Sequence, residues 1–296
     1  MSPRRQVVVV GDVIDDVHAF AHGEIRPDTD TLANISLRPG GSAANTACWL
    51  GHLGIPVGFH GRVGKADVER HRLEFAKFGV EAKLQADPDK PTGTIVVIVQ
   101  GETRTMLSDR GANLTLDVSS IATTPEDTPA VLHLTGYSFF HREPIDDLVA
   151  LMDRTTANGG TVVLDCSSAG FLADHGAQWW WEIAQHASIV RGNEDEARLL
   201  TGLEPQAAAK AFSEHQVVGI VTLGPDGAAW CEPGGEPTTL PASPLGQGGF
   251  VDPTGAGDAF SAGLISGLFE GLALDVAIRR GLDVSASAVS QRGARP

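Results

Sequence analysis

Short apolar runs alternate with helical patterns along most of the chain, and this alternation restricts the fold more than any other feature. The first run, at 6–10, is almost entirely valine. A strand that is apolar on both faces predicts a parallel sheet covered by helices on each side. Similar runs follow at 131–134, 161–164, 188–190 and 217–222, and helical patterns lie at 42–53, 144–157, 178–186 and 193–200. We therefore expect an α/β layered fold with right-handed crossovers.

Two segments do not follow this alternation. Residues 13–38 are polar with scattered apolar positions, and residues 94–108 have the pattern of a hairpin that turns at Gly101. We expect both segments to contribute strands to a smaller sheet that projects from the main layer. The sequence has no internal repeat and no obvious linker, so residues 1–296 are interpreted as one domain.

The chain is acidic, with 22 Lys and Arg against 37 Asp and Glu and a formal net charge of -15. Such a field repels phosphate backbones and anionic headgroups, so we expect no nucleic-acid partner and no membrane partner. An anionic ligand must then be held locally, by main-chain N–H groups or by a metal ion. Hydrophobic residues make up 42% of the chain, which excludes a disordered or fibrous protein.

The sequence predicts a soluble protein of the cytoplasm. Its three cysteines, Cys48, Cys166 and Cys231, lie far apart and form no Cys-x-x-Cys pair, which is typical of a reducing compartment and offers no zinc-ligand spacing. The apolar run near the N-terminus is too short for a signal peptide. The longest apolar stretch, 255–278, is interrupted by three acidic residues, so it predicts no membrane span.

The strongest functional signal is the segment 252–260, DPTGAGDAF. Its three small residues at 255–257 allow a ligand to approach the main chain closely. A helix is predicted at 258–268, and the first N–H groups of a helix bind anions. Beside such a site, the Asp258 carboxylate can take the proton of a hydroxyl that attacks a bound phosphoryl group. A helix cap is the alternative role for Asp258 alone; the nine residues together favour catalysis.

A second segment, 40–47 with the sequence GGSAANTA, has the same small-residue character. It leads into the predicted helix at 42–53, where Asn45 lies near the first turn with both a donor and an acceptor. A glycine pair before a serine is by itself only a good helix start. Together with the Asp258 segment, it predicts the floor of a polar substrate pocket.

These two segments resemble the two signatures of the ribokinase-like, or phosphofructokinase-B type, carbohydrate kinases. The resemblance covers nearly the whole chain, and further matching landmarks lie at 61–64, 110–113, 193–196 and 222–227. The P-loop pattern GxxxxGK[ST] is absent from the sequence. The resemblance implies a three-layer αβα domain with a central, mostly parallel sheet and a small β lid, formed by about 13–38 and 94–108.

The resemblance also implies transfer of the γ-phosphoryl group of ATP to an alcohol, with Asp258 as general base. It assigns the anion hole to Gly255, Ala256 and Gly257, and the phosphates and Mg²⁺ to Asn193 and Glu196, with Glu196 acting through water. The nucleotide loop matches Thr222, Gly224 and Gly227. The acceptor site matches Asp16, Gly40, Gly41 and Asn45. A monovalent cation such as K⁺ matches Asp252, the carbonyls of Thr254 and Ala288, and Gly293.

Some positions depart from the ribokinase pattern and bear on the acceptor. Ile14 stands where that pattern has an Asn, and no acid follows the strand that ends in Leu134-Thr135-Gly136. Both changes argue against binding of ribose in the same manner. Arg104 and Arg110 can reach the acceptor from the lid hairpin, which favours an acidic sugar or a sugar phosphate. An arginine paired with a nearby Asp would carry no such meaning.

We therefore expect an ATP-dependent kinase for a sugar or a sugar-like alcohol. A nucleoside such as adenosine is the leading alternative acceptor, and it predicts an apolar or aromatic wall near the lid. A non-catalytic sugar-binding or regulatory protein of the same fold is the alternative from another functional class. A homodimer that pairs through the lid is typical of the family.

Overall fold

The predicted apolar runs become strands in the computed structural model, which describes residues 6–100, 103–121, 128–246 and 248–296. The strands in these residues are β1 (Val7–Val10), β2 (Ile14–Ala21), β3 (Ala33–Gly40), β4 (Val57–Gly64), β5 (Glu81–Asp87), β6 (Gly93–Gln100), β7 (Thr103–Asp109), β8 (Val131–Thr135), β9 (Thr161–Asp165), β10 (Ile189–Asn193), β11 (Val218–Thr222), β12 (Ala228–Cys231) and β13 (Thr238–Leu240). The helices are α1 (Ser42–His52), α2 (Val68–Ala76), α3 (Asp146–Ala157), α4 (Ala169–His175), α5 (Ala177–Ala184), α6 (Glu194–Thr201), α7 (Pro205–Ser213), α8 (Ala256–Phe269) and α9 (Leu274–Ala288).

One large sheet forms the centre of the molecule. Its strand order over the described residues is β13-β12-β11-β10-β9-β8-β1-β4-β5. The seven strands from β5 to β11 pair in parallel, and only β12 and β13 pair antiparallel. The carboxyl ends of the parallel strands therefore meet at one edge, which is where ligands bind in open α/β sheets.

Helices cover both faces of this sheet because its central strands are apolar on both sides. Alternate side chains of β1 point in opposite directions: Val7 and Val9 pack with α1, α2, α8 and α9, whereas Val8 and Val10 pack with α3 to α7. All four valines are at least 98% buried. The three-layer arrangement predicted from the sequence is thus confirmed.

The two exceptional segments form a second sheet with the order β3-β2-β6-β7. β2 pairs antiparallel with β3 and parallel with β6, and β6 pairs antiparallel with β7. The predicted turn at Gly101 lies outside the described residues. Asn113 fixes the entry to this sheet, since its side chain exchanges two hydrogen bonds of 2.9 Å with the main chain of Val13. We call this four-stranded sheet the lid sheet.

Two findings concern the whole described chain. None of the helices in the described residues is long and apolar enough to cross a membrane. Cys48, Cys166 and Cys231 are all buried as free thiols. Burial raises the pKa of Cys48 to about 11 and also raises that of Cys166, so these two thiols are unreactive.

Candidate active site

The candidate site lies at the carboxyl edge of the large sheet, where the first turns of α1 and α8 meet. Asp258 lies in the first turn of α8 and is partly buried. Its Oδ1 accepts a hydrogen bond of 2.6 Å from Ser42 Oγ, and its Oδ2 accepts one of 2.9 Å from Asn45 Nδ2. Among the residues that the structure describes, the carboxyl group is in no salt bridge and takes part only in these neutral hydrogen bonds. The side chain therefore joins the two segments that the sequence marked as functional.

The surroundings of Asp258 favour the protonated form of its carboxyl group up to near-neutral pH. Burial raises the pKa of Asp258 to about 7, and the carboxylates of Asp165 and Asp12 act in the same direction. The hydrogen bonds from Ser42 and Asn45 oppose this effect because they stabilise the charged form. A carboxyl group with a pKa near the working pH is well matched to accept and release a proton.

The start of α8 presents main-chain donors next to this carboxyl group. Gly255 takes a left-handed conformation with φ 78°, which favours glycine, and precedes the helix. The N–H of Ala256 donates to Pro253 O at 3.2 Å. Within the described residues, the N–H groups of Gly257 and Asp258 have no acceptor in the protein. These two donors are available to an anion.

Gly257 has a packing reason to be glycine that sequence inspection did not find. A Cβ at this position would lie 2.9 Å from Nη1 of Arg191 and 3.0 Å from Nη2. The Arg191 guanidinium also lies 5.7 Å from the centre of the Phe260 ring. A buried cation therefore lies directly beneath the first turn of α8, where it adds positive potential to the candidate anion hole.

Arg191 is held in place by the ends of two neighbouring strands. Its Nη1 donates to Asp165 Oδ2 at 2.7 Å, and its Nη2 donates to Thr222 Oγ1 at 2.7 Å. Arg191 is 8% exposed and Asp165 is 5% exposed. Thr222, which the resemblance assigns to the nucleotide, thus turns its hydroxyl towards this ion pair.

Asn193 and Glu196 form a capping box at the start of α6. The Asn193 side chain accepts from the Glu196 N–H at 2.9 Å, and Glu196 Oε2 accepts from the Asn193 N–H at 2.8 Å. Burial, followed by the charge of Asp165, raises the pKa of Glu196 to about 7. Burial disfavours the charged form of this carboxyl group, whereas a nearby cation such as Mg²⁺ favours it. The position of Glu196 is therefore compatible with a Mg²⁺ ion close by.

The loop after β11 contains the two other residues assigned to the nucleotide. Gly224 has φ 53° and open space where a Cβ would stand, whereas a Cβ at Gly227, with φ 104°, would collide with the Leu240 carbonyl. Packing against β13 therefore requires glycine at Gly227. A cavity of about 300 Å³ lies beside the end of α9, and Ser243, Pro244, Gly246, Asp283, Ala286, Ser287 and Ser290 line it.

The residues assigned to the acceptor lie close together at the start of α1. A Cβ at Gly40 would collide with the Asp16 carboxylate, and one at Gly41, where φ is 95°, would collide with the Asp12 carbonyl. Burial, followed by the charge of Asp12, raises the pKa of Asp16 to about 6. With Asn45 on the next turn, these residues form the acceptor floor, defined as Asp16, Gly40, Gly41 and Asn45.

Arg110 is paired with a nearby aspartate, the arrangement in which an arginine carries no indication of the acceptor. Arg110 is 7% exposed, with its Nη1 3.6 Å from Asp12 Oδ2 and its Nη2 donating to Tyr137 O at 3.1 Å. Asp12 in turn accepts from the N–H groups of Ser42 and Ala43 at 3.2 and 3.1 Å, so it caps α1. Arg104 lies on β7, and its side chain is outside the described residues.

Three of the four residues assigned to a monovalent cation are directly linked. Asp252 Oδ1 accepts from the N–H of Thr254 at 3.0 Å and from its Oγ1 at 2.6 Å, and Asp252 Oδ2 accepts from the Gly293 N–H at 3.2 Å. Ala288 is the last residue of α9, and the next residue, Val289, accepts from the N–H of Asp252 at 3.2 Å. A carboxylate is a hard oxygen ligand of the kind that suits such a cation.

Three further residues join the site that sequence inspection did not assign: Ser42, Arg191 and Arg295. Ser42 carries a signal, because it follows the glycine pair and opens the predicted helix. Arg191 and Arg295 carry none, since an arginine in an apolar strand or near a chain terminus has no local pattern that indicates its partner.

Comparison with known proteins shows the family and the fold of the chain. Residues 4–296 match the model of the pfkB family carbohydrate kinases. An uncharacterized sugar kinase of Archaeoglobus fulgidus is 29% identical over 250 residues, which cover 83% of this chain and 96% of that protein. A ribokinase of Haemophilus influenzae is 26% identical over 307 residues, covering 99% and 94%. The structure of Arabidopsis thaliana ribokinase complexed with ribose and ATP has a TM-score of 0.82 at 22% identity, covering 98% and 94% of the two chains. The fold is therefore shared with solved kinase structures.

Proposed function

The chain belongs to the pfkB family of carbohydrate kinases, and we propose that it transfers the γ-phosphoryl group of ATP to a hydroxyl of a sugar or a sugar-like alcohol. The observation that carries this proposal is the position of Asp258. Its carboxyl group joins the first turn of α8 to the acceptor floor, and it lies beside two main-chain donors for which the described residues provide no acceptor. A base and an anion hole in one place are the parts that phosphoryl transfer requires.

In the proposed reaction, the acceptor hydroxyl donates to Asp258 Oδ1 and takes the place of the Ser42 hydroxyl. Asp258 removes the proton as the acceptor oxygen bonds to the γ-phosphorus and the bond to the β-phosphate oxygen breaks. The N–H groups of Gly257 and Asp258, with Gly255 and Ala256 forming the turn, bind the transferring group. Arg191 beneath them stabilises the charge that develops there.

Two ions belong to this proposal. Glu196 and Asn193 would hold Mg²⁺ through water, and the ion would supply neutralisation of phosphate charge. Asp252, Thr254, Ala288 and Gly293 would hold K⁺ behind the anion hole. Thr222, Gly224 and Gly227 would contact ATP, and the cavity near Asp283 has room for its base.

The lid sheet favours a nucleoside as the second candidate acceptor. Strand register places Phe20, Ile95, Val97 and Met106 on the same face as Asp16. Phe20 and Met106 are 41% and 62% exposed. The same face also carries polar residues, among them His18, Ser36 and Arg38. Its apolar positions are the part of the face that could form the wall that the nucleoside alternative predicts, since a base buries apolar area when a lid covers it.

The outer face of the lid sheet supports a proposed homodimer. Ile35, Leu37 and Leu107 lie on the face opposite Asp16 and are 70%, 62% and 57% exposed. A second copy that packs against this patch would bury it. We also propose that segments 13–38 and 94–108 act as the lid of one kinase domain, 1–296, and that the protein resides in the cytoplasm, which its free thiols support.

The proposal is tested by ADP release over a panel of sugars, sugar acids, sugar phosphates and nucleosides, with Mg²⁺ and with or without K⁺. Asp258→Asn should lower kcat by roughly 10²–10⁴ for the active acceptor, because general-base assistance is lost, with ATP binding retained. Asp174→Asn, at an exposed site on α4, is the matched control. Near-full activity of Asp258→Asn would refute the base. Absence of turnover with every acceptor would favour the non-catalytic alternative.

A further inference from the structure

Residues 293–295 pack against α1 and the loop that leads into α8. Gly293 donates its N–H to Asp252, and the Ala294 carbonyl accepts from Trp49 Nε1 at 2.9 Å. The Arg295 carbonyl accepts from Gln291 Nε2 at 3.2 Å. A Cβ at Gly255 would lie 2.6 Å from Ala294 Cα, so the segment also lies tightly against the turn before α8. These contacts give the Arg295 side chain a defined position.

The Arg295 guanidinium contacts two residues of the acceptor floor. Its Nε donates to Asn45 Oδ1 at 3.0 Å, and its Nη2 donates to Gly40 O at 2.9 Å. The group lies 5.6 Å from the centre of the Phe75 ring, which supports a flat cation from one side. Arg295 therefore reaches the reacting centre through Asn45 and not by contact with Asp258.

The two ends of the Asn45 amide make this link directional. Oδ1 can only accept and Nδ2 can only donate. In the observed orientation Oδ1 faces the Arg295 donor and Nδ2 faces the Asp258 carboxylate. If the amide turned over, two donors would face each other at Arg295 and two acceptors at Asp258. An arginine at 295 thus excludes the wrong orientation at both ends.

We propose that Arg295 is a positioning residue that holds the Asn45 amide in the orientation that donates to Asp258. Its effect is on the base: with Nδ2 directed at Oδ2, the carboxylate keeps a donor that stabilises its charged form. This role rests on the proposed function of Asp258 as general base.

Other charged groups around Asp258 set the background for this effect. Asp165 and Asp12 raise the pKa of Asp258 through their charges. Arg191 lies beneath the same turn of α8, and its own pKa is affected by Asp258. Tyr137, whose pKa burial raises above its usual range, also responds to the Asp258 charge. None of these groups contacts the Asn45 amide. Within the described part of the chain, Arg295 is the charged group other than Asp258 that hydrogen-bonds to this amide.

The test compares Arg295→Met and Arg295→Lys with Arg292→Met, an exposed position in the same segment. A lost donor to a carboxylate raises its pKa by about one unit. For Arg295→Met, the acid limb of kcat should move up by about one pH unit. At pH 6.5 kcat should then fall about eightfold, whereas above pH 9 it should recover. The control should leave the profile unchanged.

A double-mutant comparison distinguishes this positioning role from an alternative in which Arg295 only anchors residues 293–295 to the rest of the protein. In an Asn45→Ala background, Arg295→Met should add no further shift of the acid limb, because its route of action is gone. An equal shift in both backgrounds would overturn the proposal. So would a wild-type profile for Arg295→Met, or full rescue by Arg295→Lys, which keeps the charge but not the fork of donors.

A readout without turnover keeps the two proposals distinguishable. Carbon-13 NMR titration of labelled aspartate, with Asp258→Asn to assign the signal, reports the Asp258 pKa directly. Arg295→Met should raise that pKa by about one unit, and an unchanged value would overturn the link. If no acceptor supports turnover, the proposed function fails while this titration still tests Arg295.

Discussion

Asp258→Asn should stabilise the protein at alkaline pH while it removes the activity. The native carboxyl group holds its proton up to a pKa of about 7, compared with 3.8 for the ordinary group. Between these two values the folded state binds a proton that the unfolded state has lost. The free energy of unfolding therefore falls as pH rises through this window and is level above it. An asparagine does not titrate, so this residue causes no such fall in the free energy of unfolding of Asp258→Asn.

The magnitude follows from the width of the window. One pKa unit corresponds to about 1.36 kcal/mol, so the full interval is worth about 4 kcal/mol. The side chain is only partly buried, and solvent reduces this value, so we expect Asp258→Asn to gain about 2 kcal/mol at pH 8. Because pH 5 lies less than halfway between the two pKa values, the gain in the free energy of unfolding at pH 5 should be less than half of the gain at pH 8. The hydrogen bonds should persist, since an asparagine can accept from Asn45 and donate to the Ser42 hydroxyl.

Urea unfolding measures this difference, with the five tryptophans as a fluorescence signal. Wild type, Asp258→Asn and the exposed control Asp174→Asn are compared at pH 5 and pH 8. The control should match wild type at both pH values. If Asp258→Asn were no more stable than wild type at pH 8, the raised pKa assigned to Asp258 would be wrong.

Three further outcomes test other parts of the site. Gly257→Ala places a Cβ 2.9 Å from Arg191, so it should lower stability by about 1–3 kcal/mol in urea unfolding and lower kcat at least about tenfold; unchanged kinetics would contradict the anion hole. Asp165→Asn leaves the Arg191 cation buried without its partner and should cost about 3–5 kcal/mol of stability, which calorimetry would detect; a loss below about 1 kcal/mol would mean that the pair is not needed. Asp16→Asn should raise KM for the acceptor roughly tenfold or more, because a hydrogen bond to a charged group is lost, while KM for ATP stays constant; an equal change in both would argue against contact of Asp16 with the acceptor.

The central elements of the fold could be predicted from local pattern. β1, β8, β9 and β11 were expected within one or two residues of their observed bounds, because a strand buried on both faces requires an uninterrupted apolar run. The two antiparallel strands β12 and β13, at one end of the large sheet, were not predicted. β13 has only three residues, with a burial pattern that is mostly exposed, so its sequence carries little periodicity. It forms a strand because it pairs with β12.

The strands of the lid sheet were also difficult to predict from local pattern. The segment at 13–38 was expected to be loop-like or to contribute strands, and it contains β2 and β3. β2 is fully buried only at Ile14 and Asp15, so no alternation of apolar and polar residues marks it. Pairing with β3 and β6 decides its conformation.

The sequence by itself determined which groups are available to the candidate site. The small residues before α1 and α8, and the carboxylate of Asp258, are local features that need no fold to be recognised. Tertiary structure alone decided how the ionisation and orientation of these groups are set. It partly buried Asp258, paired Arg110 with Asp12, placed Arg191 beneath Gly257 and brought Arg295 to Asn45. Local pattern records short-range backbone preference, whereas ionisation and orientation depend on neighbours that are distant along the chain.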